Sequence, residues 1–130
     1  MPAKHRVLVV DDAPENISTV KKMLMNTGIL VTQAGSEFGA FNVIEQYGKQ
    51  ADAIVVNLSL QASDPLELAE KLRQNERYSK IPIVFTCDQI TLDTIEKIKK
   101  LQIEHVIKKP FNEEYFRSTL HAVLKTENNE

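Results

Sequence analysis

The sequence predicts an α/β fold, a doubly wound (βα)5 sandwich built on a five-stranded parallel sheet with helices on both faces. Three observations carry this. Five short apolar, β-branched runs occur, at residues 7–10, 30–32, 53–56, 81–86 and 106–107. Each is followed by a longer stretch with apolar residues at helical spacing, the alternation that parallel sheets require. Four of the runs end in polar residues: Asp11 and Asp12, Asn57, Thr86, and Lys109. Right-handed crossovers would gather those ends along one edge of the sheet.

The elements follow in order. After the first strand, Pro14 suits the opening turn of a helix, where a missing N–H does no harm. Ile17, Val20 and Leu24 recur at helical spacing, and Gly28 stands where a helix stop is expected. Residues 30–32 read as an edge strand, being less uniformly apolar. Ser36 precedes a second helix with Phe38, Phe41, Ile44 and Tyr47 on its apolar face and Gly48 at its stop. After the third strand, Asp64-Pro65-Leu66-Glu67 combines an N-cap acid, a first-turn proline and a glutamate three residues beyond the cap. The fourth strand leads to helical spacing at Leu92, Ile95 and Ile98. The fifth leads to a helix capped by Asn112 and carrying Phe116, Leu120, Val123 and Leu124. From about residue 126 the chain is a polar tail, TENNE. This is a flavodoxin-like order, expected to form one domain over residues 1–130.

Composition narrows the function. At 130 residues, 42% hydrophobic and 26% charged, the chain suits one covered core. A net charge of −2 and a pI near 5.9 give no basic surface for nucleic acid. The single cysteine, Cys87, excludes an internal disulfide and reads as a small residue just past a strand rather than a nucleophile. No apolar run reaches membrane-span length, and MPAKHR runs directly into a strand, so a cytoplasmic protein without a signal peptide is expected. His5, His105 and His121 are scattered without metal-ligand spacing.

The polar residues at the strand ends carry the chemistry. Two carboxylates, Asp11 and Asp12, favour a hard divalent cation such as Mg²⁺, which takes oxygen ligands. Lys109 offers a point charge for a phosphoryl oxygen, and Thr86 a hydroxyl hydrogen bond. Singly, each residue fits a helix cap or a charge-neutralising role. Spread over four strands, they fit a site for an anionic group beside a metal.

The segments VLVVDDAPENISTVKKML, AIVVNLS…DPLELAEKLR, IPIVFT and VIKKPF resemble the receiver domain of bacterial two-component response regulators over nearly the whole chain. The resemblance implies that Asp11, Asp12 and the backbone carbonyl of Ser59 hold Mg²⁺. It implies that Thr86 and Lys109 grip a phosphoryl group delivered by a histidine kinase to the residue ending strand three. It also implies a partner face formed by helix four, strand five and helix five. Lys109-Pro110 is a candidate cis bond, since X–Pro is where cis forms occur. The sequence departs from the family pattern at Asn57, the phosphoacceptor position, which the family fills with aspartate. Gln61 stands for the usual proline, Pro65 for the usual glycine, and Val106 for the usual aromatic switch residue.

Forming an acyl phosphate needs an ionised carboxylate as nucleophile, and the Asn57 amide is neutral. The amide also removes one negative charge, so Mg²⁺ binding is expected to be weak but retained. The leading expectation is an atypical, phosphorylation-independent receiver, not an enzyme, that works by protein–protein interaction. Its partner would be a histidine kinase, a phosphotransfer protein or a downstream effector, and the chain itself would be a monomer or weak homodimer. The lysines of EKIKKLQIEHVIKKP, namely Lys97, Lys99, Lys100 and Lys108, are the candidate partner face; a solvated helix face explains them equally well. One alternative is a phosphorylatable switch carrying an engineered Asp-to-Asn change at 57. Another is a same-fold cofactor carrier or phosphohydrolase, disfavoured by four glycines, none in a phosphate-cradling loop, and by the absence of tryptophan.

Overall fold

A computed structural model describes residues 5–46 and 51–128, with side chains described through residue 124. Five parallel strands form one sheet: β1 (His5–Val10), β2 (Ile29–Ala34), β3 (Ala53–Asn57), β4 (Ile83–Cys87) and β5 (His105–Lys108). Between and after them lie α1 (Pro14–Met23), α2 (Glu37–Gln46), α3 (Pro65–Gln74), α4 (Leu92–Lys100) and α5 (Glu113–Asn128). The strand order is β2-β1-β3-β4-β5, so β2 is an edge strand, as its mixed composition predicts. Strand order reverses between β1 and β3. In open α/β sheets that crevice is where ligands bind.

Each central strand splits its side chains between two cores, because successive residues point to opposite faces. Leu8, Val10, Ile54, Val56, Ile83 and Phe85 pack under α2, α3 and α4, meeting Ile44, Leu68, Leu72 and Ile98. Val7, Val9, Ala53, Val55, Val84 and Ile107 pack under α1 and α5, meeting Val20, Met23, Phe116 and Leu120. Every residue of β3 and β4 is buried, which is why those runs read as uninterrupted apolar sequence.

The helix ends repay reading from sequence. Asp64 caps α3, its Oδ1 accepting from the Leu66 and Glu67 backbone N–H groups at 2.9 and 3.3 Å, with Pro65 in the first turn. Asn112 caps α5 through a 2.9 Å bond from the Tyr115 N–H. The Lys109-Pro110 bond is cis.

Several local expectations are corrected. Helix α1 ends at Met23 rather than running to Gly28. Asn26 enters the left-handed region first, at φ 63°, and Gly28, at φ 83°, completes the turn into β2. Strand β4 starts at Ile83 rather than Ile81: Pro82 has no N–H, and the Ile81 N–H is taken by the Tyr78 carbonyl in a turn. Cys87 is the buried last residue of β4 rather than a position beyond it. Phe38 and Leu92 fit helical spacing yet are 78% and 80% exposed, because Ala40 and Ile44 in α2 and Ile98 in α4 take the core positions. Helix α5 continues through Asn128, into the expected polar tail. Tyr47 and Gly48 lie outside the described residues.

Candidate functional site

The site lies at the carboxyl end of the sheet, around the crevice between β1 and β3. Asp11 follows β1 directly, and its N–H donates to the Ala34 carbonyl at 2.9 Å, which fixes it beside the end of β2. Asn57 closes β3 and is the register partner of Thr86 on β4. The Leu58 N–H donates to the Thr86 carbonyl at 2.8 Å, continuing that ladder one step past the strand. Lys109, just past β5, is brought alongside by its own N–H donating to the Cys87 carbonyl at 2.8 Å. The four strand ends thus converge as their sequence positions imply.

Their environments differ. Asp11, Asn57 and Thr86 are 4%, 3% and 2% exposed, whereas Asp12 and Ser59 are exposed and Lys109 and Val106 half-buried. A buried carboxylate must be hydrogen-bonded. Asp11 meets that demand with amide donors: Oδ1 accepts from the Ala13 N–H at 2.9 Å, and Oδ2 from Asn16 Nδ2 and Asn57 Nδ2, both at 3.1 Å. Asn57 in turn uses its Oδ1 to accept the Ser59 N–H at 2.8 Å, an Asx turn that folds the chain back at the strand end. Both halves of the Asn57 amide are therefore engaged, and the nitrogen faces Asp11 because only that orientation gives a donor to the carboxylate.

Asp12 works on the loop instead. Its Oδ2 accepts from the Gln61 and Ala62 N–H groups at 2.8 and 3.2 Å, and the Gln61 side chain donates to the Ser59 carbonyl at 3.2 Å. The neighbouring groove, about 540 Å³, is bounded by Asp11, Asp12, Ile17, Lys21 and Gln33.

For a divalent cation, the oxygen type is right: two carboxylates and a backbone carbonyl are hard donors. Among the described residues, however, no group of three or more His, Cys, Asp and Glu side chains is placed to hold a metal. Both Asp11 oxygens, Asp12 Oδ2 and the Ser59 carbonyl already accept N–H groups. The donor set suits Mg²⁺ in chemistry, and a cation would compete there with amide hydrogens.

The four lysines do not share one surface. Lys97 and Lys100 line a groove with Asp64, the cap of α3, and with Glu67 and Glu70 of that helix, and Lys97 pairs with Asp93 at 3.3 Å. Lys99 lies on the opposite flank of α4, over a groove of about 590 Å³ with Ile95, Ile98, Ile103 and Val106. Lys108 is the exposed end of β5, registered with Cys87. Burial pushes the Cys87 thiol up, while the charges of Lys108 and Lys109 pull the other way.

Asn16 is the site residue that sequence reasoning passed over. Its signal was available: an asparagine five residues after Asp11, in the first turn of a helix opened by Pro14, reaches back over the preceding strand end.

Comparison with known proteins completes the assignment. The response regulator receiver domain family matches residues 7–121. The chain is 32% identical over 121 residues to hybrid signal transduction histidine kinase L of Dictyostelium discoideum, covering 80% of this chain and 7% of that protein. It is 22% identical over 127 residues to sensor histidine kinase CheAY of Helicobacter pylori, covering 97% of this chain and 16% of that protein. Against protein PilH of Pseudomonas aeruginosa it is 27% identical over 123 residues, covering 92% and 97%. The chain thus spans a small part of the two kinases and nearly all of PilH. The structure of chemotaxis protein CheY4 of Vibrio cholerae superposes with a TM-score of 0.83 at 23% identity, covering 92% of this chain and 98% of that one. A sensor protein from Polaromonas gives 0.85 at 22% identity, covering 95% and 98%. No helix among the described residues is long and apolar enough to cross a membrane. By its sequence match from β1 into α5, and by its fold, the chain belongs to the response regulator receiver domain family of two-component signal transduction.

Proposed function

We propose that this chain is a receiver that signals without accepting a phosphoryl group, a single unit over residues 1–130 that acts by binding a protein partner. The supporting observation is the Asn57 amide at the end of β3, held between Asp11 Oδ2 and the Ser59 N–H. An acyl phosphate forms when an ionised carboxylate attacks phosphorus and the donor's leaving group departs. The amide oxygen here is neutral and already accepts a hydrogen bond, and the amide nitrogen's lone pair is delocalised into the carbonyl. Neither atom is a nucleophile for that step.

On this reading Asp11, Asp12 and the Ser59 carbonyl are the residues that would hold Mg²⁺, weakly, because Asn57 contributes no charge and its amide donates to Asp11. Bound there, the cation would supply positive charge for a phosphate oxygen; Lys109 and Thr86 would supply an ammonium and a hydroxyl to the same region. Val106 is too small to fill and vacate a buried position as an aromatic ring does, so a ring-based switch through β5 is not part of the proposal. The partner belongs to the two-component machinery, a kinase, a phosphotransfer protein or an effector. Lys99, above the apolar groove between α4 and β5, is the first position to alter in finding the contact surface, and Lys97, Lys100 and Lys108 follow. A receiver of this kind has no catalytic residue of its own and works in the cytoplasm.

The experiment is an amide spectrum recorded with beryllofluoride and Mg²⁺, which mimics a phosphoryl group on a carboxylate. Unmoved resonances for residues 57–63 and 86–88 in this chain relative to Mg²⁺ alone, with movement in the Asn57→Asp variant, support the proposal. Movement in the unmodified chain rejects it.

A further inference from the structure

Asp12 is the exposed member of the acid pair, yet two successive amides of the β3–α3 loop converge on one of its oxygens, from Gln61 at 2.8 Å and Ala62 at 3.2 Å. Charge-assisted bonds of this type are about twice as strong as neutral ones. The next residue faces the other way. Ser63 Oγ accepts the Glu37 N–H at 2.9 Å, and that N–H is one of the first-turn donors of α2, which have no partner within the helix. Asp64 then caps α3. Four consecutive residues, 61–64, therefore tie the acid pair to the starts of two helices. The Glu37 carboxylate closes the circuit through Lys71, which also faces Glu67 at 3.6 Å.

We propose that Asp12 is the latch of the β3–α3 loop, and that a change at its carboxylate is read at the start of α2 rather than on the α4–β5 side. The loop has three anchors, Asp12 at Gln61 and Ala62, the α2 N-terminus at Ser63 and the α3 N-terminus at Asp64, on four consecutive residues. Freeing Gln61 and Ala62 leaves Ser63 held from its Asp64 side alone, which weakens the acceptor of the Glu37 N–H. In the other direction no comparable chain of side-chain bonds runs among the described residues, and Val106 stands opposite Phe85 in the β4–β5 register where a ring would be needed to carry movement. The latch does not depend on whether residue 57 accepts phosphate, so its failure would leave the functional proposal untouched.

Amide hydrogen exchange on the full chain tests it. In Asp12→Ala, the Gln61 and Ala62 amides should exchange about tenfold faster through loss of charge-assisted bonds, and the Glu37 amide should also exchange faster as its Ser63 acceptor loosens. Residues 94–98 and 105–108 should be unchanged. Ser63→Ala should speed Glu37 alone, and adding Asp12→Ala to it should speed Gln61 and Ala62 with no further effect on Glu37. Asp12→Asn, which keeps an acceptor oxygen of the same shape, should give a smaller effect at the same three amides and provides the test if the alanine variant folds poorly. An unaltered Glu37 amide in both Asp12 variants, or an equal response in α4 and β5, would overturn the proposal.

Discussion

Asn57 Nδ2 donates to Asp11 Oδ2 at 3.1 Å, so the residue that closes β3 serves as a hydrogen-bond partner to the buried carboxylate that follows β1. An aspartate of the same shape would set two carboxylate oxygens against each other at that separation. Opposed unit charges 4 Å apart interact by about 4 kcal/mol near a protein surface, and like charges repel by the same amount. The amide replaces that repulsion with an attraction and supplies the partial positive charge that a cation would otherwise bring.

The first prediction follows directly. Without divalent cations, Asn57→Asp should be less stable than the unmodified chain by about 2 kcal/mol, the lost hydrogen bond plus screened repulsion. Millimolar Mg²⁺ should recover most of this in the variant and change little in the unmodified chain. Thermal melts in EDTA and in MgCl₂ provide the comparison; equal stability in EDTA would refute the charge argument.

Mg²⁺ affinity should change in the opposite sense. Asn57→Asp adds one charge to the donor set and removes a competing amide, so it should bind at least about tenfold tighter, the equivalent of ~1.4 kcal/mol. Calorimetric titration of both proteins in one buffer measures it. A variant that bound no tighter would place the cation away from residue 57.

Asn16 should be a supporting residue for Asp11. Truncation in Asn16→Ala removes a donor to a buried carboxylate, and should cost about 1–2 kcal/mol in urea unfolding. Loss of stability should be larger in Asn16→Asp, which adds a third carboxylate to the pocket. A neutral Asn16→Ala would mean that Asp11 is satisfied by its other donors alone.

Tyr78 carries a buried hydroxyl with no hydrogen-bond partner among the described residues, packed in the core beneath α2 and α3, with its ring 6.1 Å from that of Phe41. An unsatisfied buried hydroxyl costs about 1–3 kcal/mol. Tyr78→Phe removes it without changing the ring and should leave the melting temperature equal or higher. A clear fall would reveal a partner for the hydroxyl.

Much of this fold was legible because β3 and β4, buried on both faces, leave continuous apolar runs, and because Asp64-Pro65 and Asn112 announce their helices. The exceptions have local causes. Phe38 and Leu92 obey the helical period, but Ala40 and Ile44 in α2 and Ile98 in α4 face the core, which leaves Phe38 and Leu92 exposed. The turn after α1 was misplaced because Asn26, not glycine, enters the left-handed region first. At the site, strand ends located Asp11, Asn57, Thr86 and Lys109, since topology alone brings them together. The direction of Asp12 was not legible: that it turns to the loop depends on which backbone N–H groups the loop leaves without partners. Helical spacing does separate Lys97 from Lys99, since positions two apart do not share a face, and the structure sets them over different grooves.

The measurement that bears most directly on the central claim is the intact mass of the chain after incubation with acetyl phosphate and Mg²⁺, beside Asn57→Asp treated identically. The account predicts an unchanged mass for the unmodified chain and a hydroxylamine-labile phosphoryl adduct on the variant, whose introduced carboxylate stands at the end of β3 beside Asp11. A stoichiometric, hydroxylamine-labile adduct on the chain with Asn57 shown intact by peptide mapping would contradict it.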